Sequence, residues 1–189
     1  MVKIEKAVPN QASIIAGLIM EAMNHDCCRY FAGPHHSLAD FHAFMTKLVA
    51  REDTQYSYRN TLVAIDNGRV VGCCVSYDGK LLRELRKAFI EEALKTFNMD
   101  HSDMQDETQA GELYIDSLAV LADYRGQGIA TLLLKSTCQK AKEMGLPAGL
   151  LVDKGNPKAE QLYRRLGFEY VNDTAWGSHP MRHLQKTMS

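Results

Sequence analysis

Apolar residues recur along this chain at two different spacings, and the switches between them mark out its elements. Val2 to Val8 alternates polar and apolar, as a half-buried strand does. Ile14, Ile15, Leu18, Ile19 and Met23 recur at helical spacing, which predicts a helix with Asn10 as its cap. His25, Asp26, Tyr30, Phe31, Gly33 and Pro34 then read as a loop. Ser37 with Asp40 forms a capping-box pattern ahead of a second helix bearing Phe41, Phe44, Met45 and Leu48. Thr61 to Ile65 and Val70 to Tyr77, joined by Asn67-Gly68, predict a hairpin. A helix from Leu81 to about Phe97 and an acidic stretch, Asp100, Asp103, Asp106 and Glu107, come next. Leu113 to Val120 is an apolar strand and Ile129 to Met144 a helix. Ala148 to Val152 is a further strand. Asn156 and Gly167 bracket a helix with Pro157 at its first position. Gly167 to Val171 and Met181 to Met188 supply two last strands. The mixed order predicts an α/β (α+β) chain.

Bulk properties exclude several classes. At 189 residues with 46% hydrophobic content, the chain suits one globular domain, residues 1–189, with a real core. A formal charge of −1 leaves no basic footprint for nucleic acid. No apolar run approaches a membrane span, and the N-terminus lacks a signal-peptide core. Five cysteines, including the adjacent pairs Cys27-Cys28 and Cys73-Cys74, do not form a disulfide framework, so a reduced, cytoplasmic setting is expected. His35-His36, with His25, Asp26, Cys27 and Cys28 nearby, match no standard zinc spacing, and no metal is expected.

The most specific signal lies between the strand at Leu113 and the helix at Ile129. Val120 to Ala130 reads Val-Leu-Ala-Asp-Tyr-Arg-Gly-Gln-Gly-Ile-Ala. Two glycines let consecutive N–H groups turn into one concave nest, and the helix behind them adds its unpaired donors and positive dipole end. Such a turn suits a phosphate or pyrophosphate. It is not a P-loop, because Ile129, Ala130 and Thr131 stand where Lys and Ser/Thr are required. Nor is it a dinucleotide fingerprint, which needs a third glycine. Arg/Gln-x-x-Gly-x-Gly/Ala does fit, through Arg125, Gly128 and Ala130, and resembles the acyl-CoA pyrophosphate loop of the GNAT superfamily of N-acetyltransferases. A second motif follows in Asn156-Pro-Lys-Ala-Glu-Gln-Leu-Tyr-Arg-Arg-Leu-Gly-Phe168, whose Asn156, Ala159 and Tyr163 share one helical face. The resemblance covers roughly residues 112 to 172.

The resemblance implies the GNAT fold, a twisted mixed sheet of six to seven strands with helices on both faces and splayed central strands. It implies acetyl-CoA as acyl donor, held by Leu118, Ala119, Val120, Arg125, Gly126, Gln127, Gly128, Ile129, Ala130, Thr131, Asn156, Ala159 and Tyr163. The N–H of Leu118 is placed to stabilise an oxyanion, and Tyr163 stands at the family's general acid, or is simply a packed aromatic. A primary amine has a pKa of about 10 and must lose a proton before it attacks. Glu112 or Asp116, acting through water, is the expected base, since both share a strand face with Tyr114 unless a bulge intervenes. Glu112 leads slightly, by resemblance to bases placed early on this strand. Tyr30, Phe31, His35, His36 and Tyr114 are candidate substrate-lining residues. Residues 78–111 exceed the connection that the fold requires, forming a helical and acidic insert. Direct transfer to a small-molecule amine is expected. A protein N-terminal or lysine acetyltransferase and a non-catalytic acyl-CoA-binding regulatory domain are the alternatives; dimers are common in the superfamily, so a homodimer is an expectation from family analogy alone.

Overall fold

The computed structural model describes residues 1–189. Seven strands form one sheet: β1 (Lys3–Lys6), β2 (Thr61–Asp66), β3 (Arg69–Asp78), β4 (Leu113–Val120), β5 (Ala148–Asp153), β6 (Glu169–Trp176) and β7 (His179–Lys186). Their spatial order is β1-β2-β3-β4-β5-β7-β6, with β4 and β5 parallel and all other neighbours antiparallel. The expected mixed sheet of six to seven strands is therefore present, with seven. Six helices accompany it: α1 (Ala12–Met23), α2 (His25–Ala32), α3 (Leu38–Ala50), α4 (Leu82–Phe97), α5 (Ile129–Glu143) and α6 (Pro157–Arg165).

Alternation along the strands sorts side chains between two cores. Val63, Cys73, Val75 and Ala119 face α1 to α4, whereas Ala64, Cys74, Leu113, Ile115 and Val120 face α5. On the first face Phe31, Phe44, Phe89 and Phe97 meet edge-on or tilted, with ring centroids 4.8–5.3 Å apart. Because Phe89 and Phe97 belong to α4, the helix between β3 and β4 is part of that core.

Local signals explain several boundaries. Ser37 Oγ accepts the Asp40 N–H at 3.1 Å and Asp40 accepts the Ser37 N–H at 2.8 Å, closing the capping box at α3. Asn67 and Gly68 both have positive φ (48° and 77°), as a two-residue turn matched to strand twist requires.

Three expectations need correction. Asn10 does not cap α1; a 3-10 turn, Pro9–Gln11, leads into it, and Gln11 Oε1 accepts the Val8 N–H. His25 to Ala32 is a helix instead of a loop, because Asn24 Oδ1 accepts the Cys27 N–H at 2.8 Å and nucleates the turn. β6 runs on to Trp176, past an irregularity between Tyr170 and Asn172.

Candidate active site

β4 and β5 pair over only three residues, Leu113 to Ile115 against Ala148 to Leu150, and then separate. Beyond Ile115 the β5-facing edge of β4 has no strand partner. At this point β4 also carries a bulge. Val75 pairs with Ser117 and Ser76 with Ile115, leaving Asp116 as the extra residue. The insertion resets the alternation. Leu113 and Ile115 face α5 before it, and Leu118 and Val120 face α5 after it, while Ala119 faces α1. Asp116 thus sits where the strands part.

The turn after β4 is built as anticipated from its glycines. Gly126 and Gly128 have φ of 75° and 81°, and a Cβ on either would meet no protein atom within 4 Å. The open side of the turn is therefore free for a ligand. Arg125 Nε donates to the Val120 carbonyl at 3.0 Å and ties the turn to the strand end. The N–H of Leu132 makes the first α-helical bond of α5, to Gly128 at 3.1 Å, so the N–H groups of Ile129, Ala130 and Thr131 precede it. No side chain caps this helix and no acidic residue lies in its first turn. These donors fit a pyrophosphate. Across the gap, Asn156 Oδ1 accepts the Ala159 N–H at 3.2 Å, which leaves the Asn156 amide nitrogen to donate elsewhere. Tyr163 lies on the same helix and packs edge-on against Phe168 at 6.0 Å. Burial pushes its hydroxyl up to about 12, so it holds its proton at neutral pH.

The opposite face of β4 carries a cluster of polar side chains. Tyr77 donates to Asp116 Oδ2 at 2.6 Å, and Ser117 donates to Oδ1 at 3.0 Å. Gln55 Nε2 reaches both Asp116 (3.2 Å) and Glu107 (3.4 Å). Glu107 also accepts from Tyr114 at 3.3 Å and from Arg86 at 3.3 Å. Burial, then mutual repulsion, raises the Glu107 carboxyl; burial likewise raises Asp116 despite its donors. Arg86 is itself buried and lies 5.7 Å from the centre of the Trp176 ring.

Glu112 occupies a different environment. It is fully buried and accepts from Thr108 (2.6 Å), His183 (2.7 Å) and Gln185 (2.8 Å). These donors hold its carboxyl below the usual range despite burial. With both oxygens occupied, it joins β4 to β7 and to Thr108 in the segment between α4 and β4.

The other sequence candidates lie apart from the cluster. Phe31 is 4% exposed and packs against Phe41 and Phe89. His36 lies edge-on to Phe97, Tyr30 is exposed beside His101, and His35 is exposed. Only Tyr114 of that group touches the carboxylates. Gln55 was not anticipated, and Glu107 stands out in the sequence only within the acidic stretch, which reads either as an attractor of a cationic acceptor or as a solvated loop. No periodicity there marks a single buried member. Asp106, its neighbour, does face outward and pairs with Arg83 at 2.7 Å.

Known proteins share this fold. A curated relative, mycothiol acetyltransferase of Thermobifida fusca (strain YX), is 36% identical over 83 residues, 43% of this chain and 25% of that protein. The chain thus spans about a quarter of that relative's length. The N-acetyltransferase structure from Staphylococcus aureus Mu50 is 25% identical with a TM-score of 0.83, covering 97% of this chain and 99% of that one. Another acetyltransferase crystal structure is 26% identical with a TM-score of 0.80, covering 99% of this chain and all of its own. The model of the acetyltransferase (GNAT) family matches residues 20–168, and the chain belongs to that family of acyltransferase enzymes.

Proposed function

We propose that the chain transfers an acetyl group from acetyl-CoA to a small primary amine, with Asp116 as base and Tyr163 as acid. One observation carries this reading: the bulged Asp116 stands where β4 leaves β5, with the pyrophosphate-type turn and Tyr163 beside the cleft and the carboxylate cluster behind it. Bound acetyl-CoA would supply an activated acyl group as a thioester. The N–H groups from Gly128 to Thr131 would hold its phosphates, with Arg125, Gly126, Gln127, Asn156 and Ala159 around the same cleft. The unpaired edge of β4 from Leu118 to Val120 offers backbone partners to an extended arm, and the Leu118 N–H a donor for developing negative charge.

Asp116 takes one proton from a bound ammonium, leaving a neutral amine with its lone pair free. Its raised pKa suits that exchange better than that of an ordinary carboxylate. As the bond from the amine nitrogen to the acyl carbon forms and the carbon–sulfur bond breaks, Tyr163 Oη would give its proton to the departing thiolate and regain one from the attacking nitrogen. Glu112, saturated by three donors, positions the strand and does not exchange protons in this scheme.

The test is Asp116→Asn, assayed by thiol release from acetyl-CoA. The expected result is a fall in kcat of about 10²–10⁴ with acetyl-CoA affinity unchanged. An unchanged kcat would remove Asp116 from the mechanism.

A further inference from the structure

Gln55 is 1% exposed, and its Oε1 is buried with no donor in the protein. An orphaned acceptor of this kind is costly unless something else satisfies it. Its own amide nitrogen faces Asp116 and Glu107, so the side chain bridges two carboxylates at one end and leaves an unfilled acceptor at the other. Turning the amide over would set Oε1 against those carboxylates, acceptor against acceptor.

The charge balance points the same way. Glu107 and Asp116 share a buried site with one cation, Arg86, which also serves Asp106 at 3.5 Å. Two buried carboxylates with part of one guanidinium cannot both ionise cheaply. They must hold a proton or receive another cation. Aromatic rings flank them: Tyr77 bonds Asp116, Tyr114 bonds Glu107, and the two rings meet edge-on at 5.8 Å. Ring faces attract an ammonium and accommodate an apolar body beside it. Asp116, the partly exposed member, lies at the mouth of the β4–β5 gap.

We propose that Gln55 Oε1, Glu107 and Asp116 form the ammonium subsite for the acceptor, which is a compact primary amine with an aromatic or apolar body. This deepens the acetyltransferase reading and rests on it for the role of acceptor. Glu107 comes from the segment between α4 and β4, so the insert supplies part of the specificity. The ammonium N–H groups donate to the orphaned amide oxygen and to the carboxylates, and Arg86 offsets the charge left over.

The experiment uses 2-phenylethylamine as probe and 2-phenylethanol as its neutral isostere. Binding of each is measured by ligand-observed NMR on the full chain, and acetyl-CoA is titrated in parallel. The wild type is expected to bind the amine at least tenfold more tightly than the alcohol. That preference should fall at least tenfold in E107Q and in Q55L, with acetyl-CoA affinity unchanged; Q55L serves if E107Q does not fold. A preference below threefold, or one that neither variant alters, overturns the subsite. Amine preference without acetyl-CoA binding upholds the subsite and overturns the transferase reading. Acetyl-CoA binding without amine preference does the reverse.

Discussion

Gly149 on β5 lies beneath Glu112, and a Cβ built there runs into the Glu112 carboxylate carbon and Oε2, with Oε1 at 3.0 Å. Gly149→Ala therefore cannot be absorbed by a flexible side-chain end, because that carboxylate is held by Thr108, His183 and Gln185. Displacing it loses one or two hydrogen bonds to a charged acceptor, each worth about 1.5–3 kcal/mol. Overpacking adds about 1–3 kcal/mol. The expected loss is about 3–5 kcal/mol, or on the order of 10 °C in Tm for a chain of this size. Urea denaturation followed by circular dichroism measures it. On an E112A background the same substitution should cost almost nothing, a coupling above about 2 kcal/mol between touching residues. The pH dependence has a definite sign. Glu112 is held below its ordinary value of about 4.3, so its contribution is present above that pH and fades as pH falls through the lowered value. The penalty of Gly149→Ala should shrink in the same direction. A loss below about 1 kcal/mol, or equal losses on both backgrounds, would refute the reasoning.

Three further predictions concern the cleft and the cluster. Tyr163→Phe should lower kcat while calorimetry finds acetyl-CoA affinity within about twofold; an unchanged kcat would leave Tyr163 a packing residue. Gly128→Ala places a side chain at φ 81°, costing about 1–2 kcal/mol in thermal unfolding. It also fills the open side of the turn, so acetyl-CoA should bind at least tenfold more weakly, and unchanged affinity would place the phosphates elsewhere. E107Q removes a carboxyl whose pKa is raised by burial. The stability that Glu107 contributes as the neutral acid is full below about pH 4 and is lost as pH rises through its raised value. E107Q should therefore gain on the wild type in Tm between pH 5 and pH 9, and a constant difference would contradict the assignment.

Local chemistry made much of the frame readable. Asn67-Gly68 marks a hairpin because both residues tolerate positive φ, and Ser37 with Asp40 marks a helix start because the two reach each other's backbone. Gly126, Gly128, Asn156 and Pro157 act through their own backbone neighbours in the same way. The missed parts depend on distant contacts. α2 has eight residues, too few for an apolar period to show, and its start rests on one Asn24 bond. The bulge at Asp116 is set by pairing with β3, which no spacing within β4 reveals. Glu107 and Gln55 lie in loops, where burial depends on what packs over them; Arg86 from α4 and Tyr77 from β3 determine it here. Glu112 and Asp116 look equivalent by alternation along the strand. Their partners separate them, one saturated and lowered, the other raised at the cleft.

The most direct measurement is thermal unfolding of the full chain with acetyl-CoA, using NAD as a control dinucleotide. At about 100 times its Kd, acetyl-CoA should add roughly 2.7 kcal/mol, a rise of several degrees, while NAD adds nothing. An equal shift with both, or none with acetyl-CoA at millimolar concentration, would contradict the assignment of the Arg125 to Thr131 turn as an acyl-CoA site.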